Sequence, residues 1–168
     1  EARALREEAQ TILASYERKQ AEVQEQSKRI VEQARVEALG ASRMHGAKQN
    51  LNAVLDEKCK RAGFENITSR EQCNFGDALH VLARLALTGE QPPASASKLT
   101  ELWQPWLDAH NLNFKELAPL IHDQSAYASA ARQLISDMDM DIGEAESTDE
   151  TGDTETEEQD AQDSQDEE

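Results

Sequence analysis

The first 39 positions carry few apolar residues, and those few recur at a fixed interval. Ile12, Val23 and Ala34 stand eleven apart, and Leu5 and Tyr16 share that spacing. An eleven-residue repeat draws a slightly right-handed seam along a helix. The stretch lacks Gly and Pro and is rich in Ala, Glu, Gln and Arg, which favour the helix. One extended helix over 1–39 is predicted, roughly 58 Å long at about 1.5 Å per residue. So sparse a stripe buries little by itself, and the helix needs a partner.

Gly40 and Gly46 bracket a weak point, after which the apolar positions become denser. Leu51, Val54, Leu55 and Cys59 form a helical stripe, and Gly63 stands where a left-handed C-terminal residue belongs. Asn66 to Asp77 reads as a connection, with Ser69 and Gln72 placed as a capping box. Asp77 is positioned to cap a helix carrying Leu79, Leu82, Leu85 and Ala86, which ends at Thr88-Gly89 before Pro92-Pro93. Ser97 opens a helix with Leu99, Leu102, Trp103, Trp106 and Leu107 on one face, and Pro105 should kink or restart it. Asn113 and Glu116 make a box-like start before Leu117, Leu120 and Ile121. Asp123 caps a last helix lined by Tyr127, Ala131, Leu134, Ile135 and Met138. No segment sustains the alternation of a strand. The predicted fold is all-α: an extended helix over 1–39, a bundle of four or five helices over 40–140, and an acidic tail over 141–168.

Charge sharpens the last boundary. The formal net charge is −17, yet every Lys and Arg lies at or before Arg132. From Asp141 to Glu168 there are 14 acidic residues and no basic one, leaving a body over 1–140 with a net charge of −3. A tail of this composition cannot offset the entropy of ordering and is expected to be disordered. It reads as a solvating linker or as a cradle for a basic partner. A nearly neutral body offers no basic footprint for phosphates, which argues against nucleic acid and anionic membranes. No apolar run approaches the ~20 residues that span a bilayer. Cys59 and Cys73 have neither a disulfide framework nor metal-knuckle spacing, so a reducing cytoplasm is expected. The chain opens on Glu1 rather than Met, which suggests that a natural N-terminus lies upstream.

Candidate chemistry is thin. His45, His80, His110 and His122 lack the i,i+4 or HExxH spacing of a zinc site and read as core-edge or surface histidines. Asp137-Met138-Asp139-Met140-Asp141 resembles the first half of a calcium loop. Ile142 and Thr148 occupy the positions where Gly and Glu are required, and Gly143 comes one place late. Trp103 and Trp106 could stack a base or ring but, set among leucines, read as core anchors. No phosphate-binding Gly loop or nucleophile elbow occurs. No catalytic, cofactor-binding or metal-ligating residue is therefore assigned.

Two stretches resemble known families. Glu32-Gln-Ala-Arg-Val-Glu-Ala-Leu-Gly-Ala-Ser-Arg-Met44 is similar to a segment of the CobT subunit of aerobic cobaltochelatase. The likeness continues in order through Gly46-Ala-Lys-Gln-Asn-Leu-Asn-Ala53, Leu87-Thr-Gly89 with Pro92-Pro93, Leu102-Trp103-Gln-Pro105 and Glu116-Leu-Ala118. It takes in Asp77-Ala-Leu79, Asp123-Gln124 and the acidic tail, covering about residues 32–168. Members of that family work with an ATPase-ring subunit and a large subunit that inserts cobalt into a corrin precursor. The resemblance implies a non-catalytic accessory segment, with ATP, magnesium and cobalt handled by partner subunits or by a C-terminal domain beyond the acidic linker. It also implies a further von Willebrand factor A-like domain with a DxSxS metal site beyond the acidic linker; that motif does not occur in this chain.

The first stretch differs. Glu1-Ala-Arg-Ala-Leu-Arg-Glu-Glu-Ala-Gln10, Ser15-Tyr-Glu-Arg-Lys-Gln20 and Ile30-Val-Glu-Gln-Ala34 resemble the peripheral-stalk subunit b of bacterial ATP synthase. This second likeness implies a structural stalk that self-associates through residues 1–39. The two likenesses meet around Glu32–Ala38, as expected of a recombined, chimeric sequence.

Overall fold

A computed structural model describes residues 1–149, with side chains through Met138. Five α-helices succeed one another with short 3-10 turns between them, and no strand occurs among the described residues. The acidic stretch beyond Asp149 lies outside the described residues.

Helix α1 (Ala2–Arg43) is the spine of the molecule. It does not end at Leu39: it runs through Gly40 and breaks at Met44, whose extended backbone (φ −134°, ψ 115°) turns the chain. A Gly inside a helix costs about 1 kcal/mol, which neighbouring packing overrides here. Helix α2 (His45–Arg61) doubles back, and Gly63 at φ +75° ends it in the left-handed conformation the sequence suggested.

Two 3-10 turns (Phe64–Asn66, Arg70–Gln72) lead to α3 (Phe75–Thr88). The expected Ser69–Gln72 capping box does not form; the Gln72 side chain instead accepts from the Thr68 amide at 2.7 Å. Nor does Asp77 cap α3. Asn74 does, accepting the Asp77 amide at 3.1 Å, so Asp77 sits inside the first turn. Helix α3 is the most apolar element and stands at the centre, with Ala78, Leu79, Val81, Leu82 and Ala83 buried. Gly76 admits Ile30 of α1: a Cβ there would meet Ile30 Cδ1 at 3.2 Å.

Helix α4 (Ser97–Ala109) runs through Pro105 as one element. Pro105 and Glu101, whose carbonyl loses its amide partner, both face solvent, where water can satisfy that oxygen. Phe114–Leu120 forms a 3-10 helix containing Pro119, opened by Asn113, which accepts the Lys115 amide. Helix α5 (Gln124–Asp149) starts where expected, with Asp123 accepting the Ala126 amide at 3.0 Å. It carries helical backbone past the composition boundary at Asp141.

Residue pairings set the directions. Ile30 lies by Gly76, and Glu37 by His80 and Arg84, so α3 runs parallel to α1. Tyr127 donates to the Val31 carbonyl at 2.8 Å, and Gln124 reaches Glu32, so α5 begins beside the middle of α1. Arg132 exerts its charge on Glu25, which makes α5 antiparallel to α1. The core gathers on the C-terminal half of α1, where Val31, Ala34, Ala38 and Ala41 are buried. The half before Ser27 projects past α3 with its apolar residues exposed.

Candidate functional site

Where α1, α2 and α3 meet, the apolar core is interrupted by a polar bridge. Glu37 comes from α1, Asn52 and Lys58 from α2, and His80 and Arg84 from α3. Arg84 is 1 % exposed, and its guanidinium donates to Glu37 Oε2 at 2.8 Å and to Asn52 Oδ1 at 3.2 Å. His80 Nε2 lies 3.0 Å from the same carboxylate oxygen, and Lys58 Nζ lies 3.0 Å from His80 Nδ1. An ammonium only donates, so Nδ1 accepts and Nε2 carries the proton toward Glu37. Gln33 donates to the second Glu37 oxygen at 2.9 Å. Burial alone would raise the Glu37 carboxyl, but hydrogen bonds from His80, Gln33 and Arg84 outweigh it and hold the group at about 2. Every member is engaged, and the bridge joins α2 to α3 mainly through side chains.

Beside it, Val54, Glu57, Lys58, Arg61, Ala62 and Asp77 line an open cleft of about 400 Å³. Its charges are already matched: Lys58 pairs with Asp77 at 3.5 Å and Arg61 with Glu57 at 3.6 Å.

The second polar feature is an aromatic ledge on α4. Trp103 is buried, as the leucine spacing suggested, whereas Trp106 is only half-buried and meets it edge-on at 5.5 Å. Phe75 packs on Trp103 and His110 on Trp106, at 6.2 and 4.6 Å between centroids. Arg70 lays its guanidinium 4.9 Å from the Trp106 centroid and 5.7 Å from that of Trp103. The indole N–H of Trp103 makes no regular hydrogen bond. Its polarity reaches the Cys73 thiol, which burial raises and the indole partly lowers. Arg70 is missed by sequence reasoning because it lies in the 3-10 connection, distant in sequence from the rings it covers.

The histidines do not converge. His80 belongs to the polar bridge, while His45, His110 and His122 are exposed and apart. Asp137 to Asp141 lie on helical backbone rather than in a loop, and Asp137 accepts from Gln133 at 2.9 Å. Cys59 is buried, and desolvation pushes its thiol up to about 11. No group of three or more His, Cys, Asp or Glu is placed to hold a metal among the described residues, and no helix among them is long and apolar enough to cross a membrane.

Both likenesses read from the sequence are found by comparison. The chain is 55 % identical over 71 residues to ATP synthase subunit b 1 of Ruegeria sp. (strain TM1040), covering 42 % of this chain and 37 % of that subunit. The match to subunit b 1 of Roseobacter denitrificans (strain ATCC 33942 / OCh 114) is 79 % over 38 residues, or 23 % of this chain and 20 % of the relative. The corresponding subunit of Jannaschia sp. (strain CCS1) is 76 % identical over 38 residues, again 23 % of this chain and 20 % of the relative. The chain thus spans only about a third or less of these relatives. No solved structure matches it. The family model described as cobalamin biosynthesis protein CobT matches residues 8–168, beginning well before the residue 32 at which the sequence likeness was read. Spanning nearly every element described above, that match shows that the chain belongs to the CobT family of cobalamin biosynthesis proteins.

Proposed function

We propose that this chain is a non-catalytic accessory segment of an ATP-dependent cobaltochelatase, a cytoplasmic complex that inserts cobalt into a corrin precursor. The observation that carries this reading is family membership over residues 8–168. The polar side chains at the helix junction tie three helices into one body on which partner subunits could dock. ATP, magnesium and cobalt are then the business of the ATPase-ring and large subunits. The half-buried Trp106, with Arg70 stacked on it, has the composition of an interface anchor, since truncating Trp and Arg costs interfaces most. Co-purification of the whole chain with the cognate ATPase-ring subunit tests the reading. Stable association weakened by Trp106→Ala is expected; failure to associate at all, with the chain folded, would overturn it.

A second reading, a peripheral-stalk segment of ATP synthase, is favoured by the subunit b matches. It predicts self-association of a peptide spanning residues 1–45 and no affinity for chelatase subunits. The neighbouring genes discriminate the two, being cobalamin genes in one case and ATP synthase genes in the other.

A further inference from the structure

The aromatic ledge on α4 extends into a longer strip. Lys98, Leu102 and Trp106 follow one another at intervals of four, which sets them side by side along one flank of the helix. Leu102 and Trp106 are half-buried, and Lys98 is exposed. Trp106 is held from three sides: Trp103 meets it edge-on at 5.5 Å, His110 stacks on it at 4.6 Å, and the Arg70 guanidinium lies 4.9 Å from its centroid. His110 is itself fixed, donating from Nδ1 to the Trp106 carbonyl at 2.7 Å. Arg70 and Lys98 hold no ion pair and no side-chain hydrogen bond among the described residues, and no Arg70 nitrogen is shut away from solvent. The carboxylates nearest to them in sequence, Glu71 and Glu101, pair with neither. On α2, by contrast, Lys48, Lys58, Lys60 and Arg61 are each matched by an acid of the chain.

We propose, resting on the docking role proposed above, that this strip receives an acidic amphipathic segment of a partner subunit, with two carboxylates flanking an apolar side chain. A guanidinium already spread on indole has lost much of its freedom, and its free donors match the planar, bidentate acceptor that a carboxylate supplies. Lys98 lies two turns from Trp106, about 12 Å at about 1.5 Å per residue, and sets the place of the second charge. Leu102 and Trp106, between the two cations, call for the apolar residue. Because the rings and Arg70 are in position before a partner arrives, little ordering entropy is lost on binding. The chain's own residues 150–168 are a poor occupant. They are acidic, but they offer no apolar side chain beyond Ala161 to cover Leu102 and Trp106.

Titration of the whole chain with the cognate ATPase-ring subunit tests it, read by the dissociation constant at several salt concentrations and by fluorine NMR of the fluorotryptophan-labelled chain. Trp103 and Trp106 are the chain's two tryptophans, so both labels fall on the ledge. The Trp106 resonance should shift on binding, and raising salt from about 50 mM to about 500 mM should weaken the complex roughly 10-fold. Arg70→Gln should weaken it about 30-fold or more, the scale of an interfacial Arg hot spot, and flatten the salt dependence. Lys98→Glu should weaken it roughly 3- to 10-fold, the scale of an exposed ion pair turned repulsive, with melting unchanged because that side chain is exposed. An affinity unmoved by salt and by both substitutions, or raised by Lys98→Glu, would overturn the acidic partner while leaving the docking role intact. Absence of any complex, with the chain folded, would overturn the docking role as well. A Trp106 resonance that moves in the chain alone, either with concentration or when the acidic residues of 150–168 are replaced by Asn and Gln, would put a second copy or the chain's own tail on the strip and overturn the assignment to a partner.

Discussion

At the scale of single residues, Glu37 matters most, because its carboxylate accepts directly from the buried Arg84 guanidinium. Replacing it by Gln removes the ion pair of that guanidinium, which is 2 % exposed in its side chain. Removing one partner of a buried pair typically costs about 3 kcal/mol or more, so Glu37→Gln should lower the unfolding free energy by that order in a denaturant titration. The same group sets an acid limit. Its folded value of about 2 lies below its ordinary 4.5, so its contribution is complete above 4.5 and is lost as pH falls from there toward 2. Thermal melts across that window should show a fall in stability that Glu37→Gln largely removes. Neither consequence was legible in the sequence, where Glu37 is one of many acidic residues on a helix. The bridge exists only because α1 and α3 run parallel and bring positions 37, 80 and 84 together.

At the scale of elements, the glycines divide by conformation. Gly40 lies inside α1, and a Cβ there would sit 3.9 Å from Leu51 Cδ1, ordinary contact. Gly40→Ala should therefore stabilise the chain by about 0.5–1 kcal/mol, as helix propensity and reduced chain entropy both favour it. Gly89 ends α3 at φ +67°, where an L side chain is strained. Gly89→Ala should cost about 1 kcal/mol. Opposite signs for the two in matched thermal melts would check the assignment of each helix end. The sequence placed Gly63 and Gly89 rightly because each follows the last apolar position of its stripe. It misplaced the end of α1, because the break at Met44 comes from α2 folding back and not from a weak helix former. The start of α3 was misplaced because Asn74 and Asp77 are both competent caps, and it is Asn74 that accepts the Asp77 amide.

At the scale of the molecule, the polar spine and the buried body are one helix with two fates. The described residues first become buried at Ser27, so deletion of residues 1–19 should shift the melting midpoint by no more than a few degrees. The segment Glu32–Ala38, where the two likenesses meet, lies in the best-anchored part of α1. Arg35 donates to the Ile121 carbonyl at 3.0 Å and pairs with Glu32 at 2.7 Å, and Ala34 and Ala38 are buried. Whatever the origin of the sequence on either side, the bundle treats this join as continuous helix.

The sequence by itself determined the helical class, the acidic C-terminal region, the left-handed ends at Gly63 and Gly89, and the burial of Trp103. These follow from local periodicity, composition and backbone freedom, which need no distant partner. Tertiary structure alone decided which stretch of the eleven-residue stripe is buried. Ala34 and Val23 belong to the same repeat, yet Ala34 is fully buried and Val23 is exposed. The difference is that α3 starts beside Ile30, and periodicity records which face of a helix is apolar, not how far its neighbour extends.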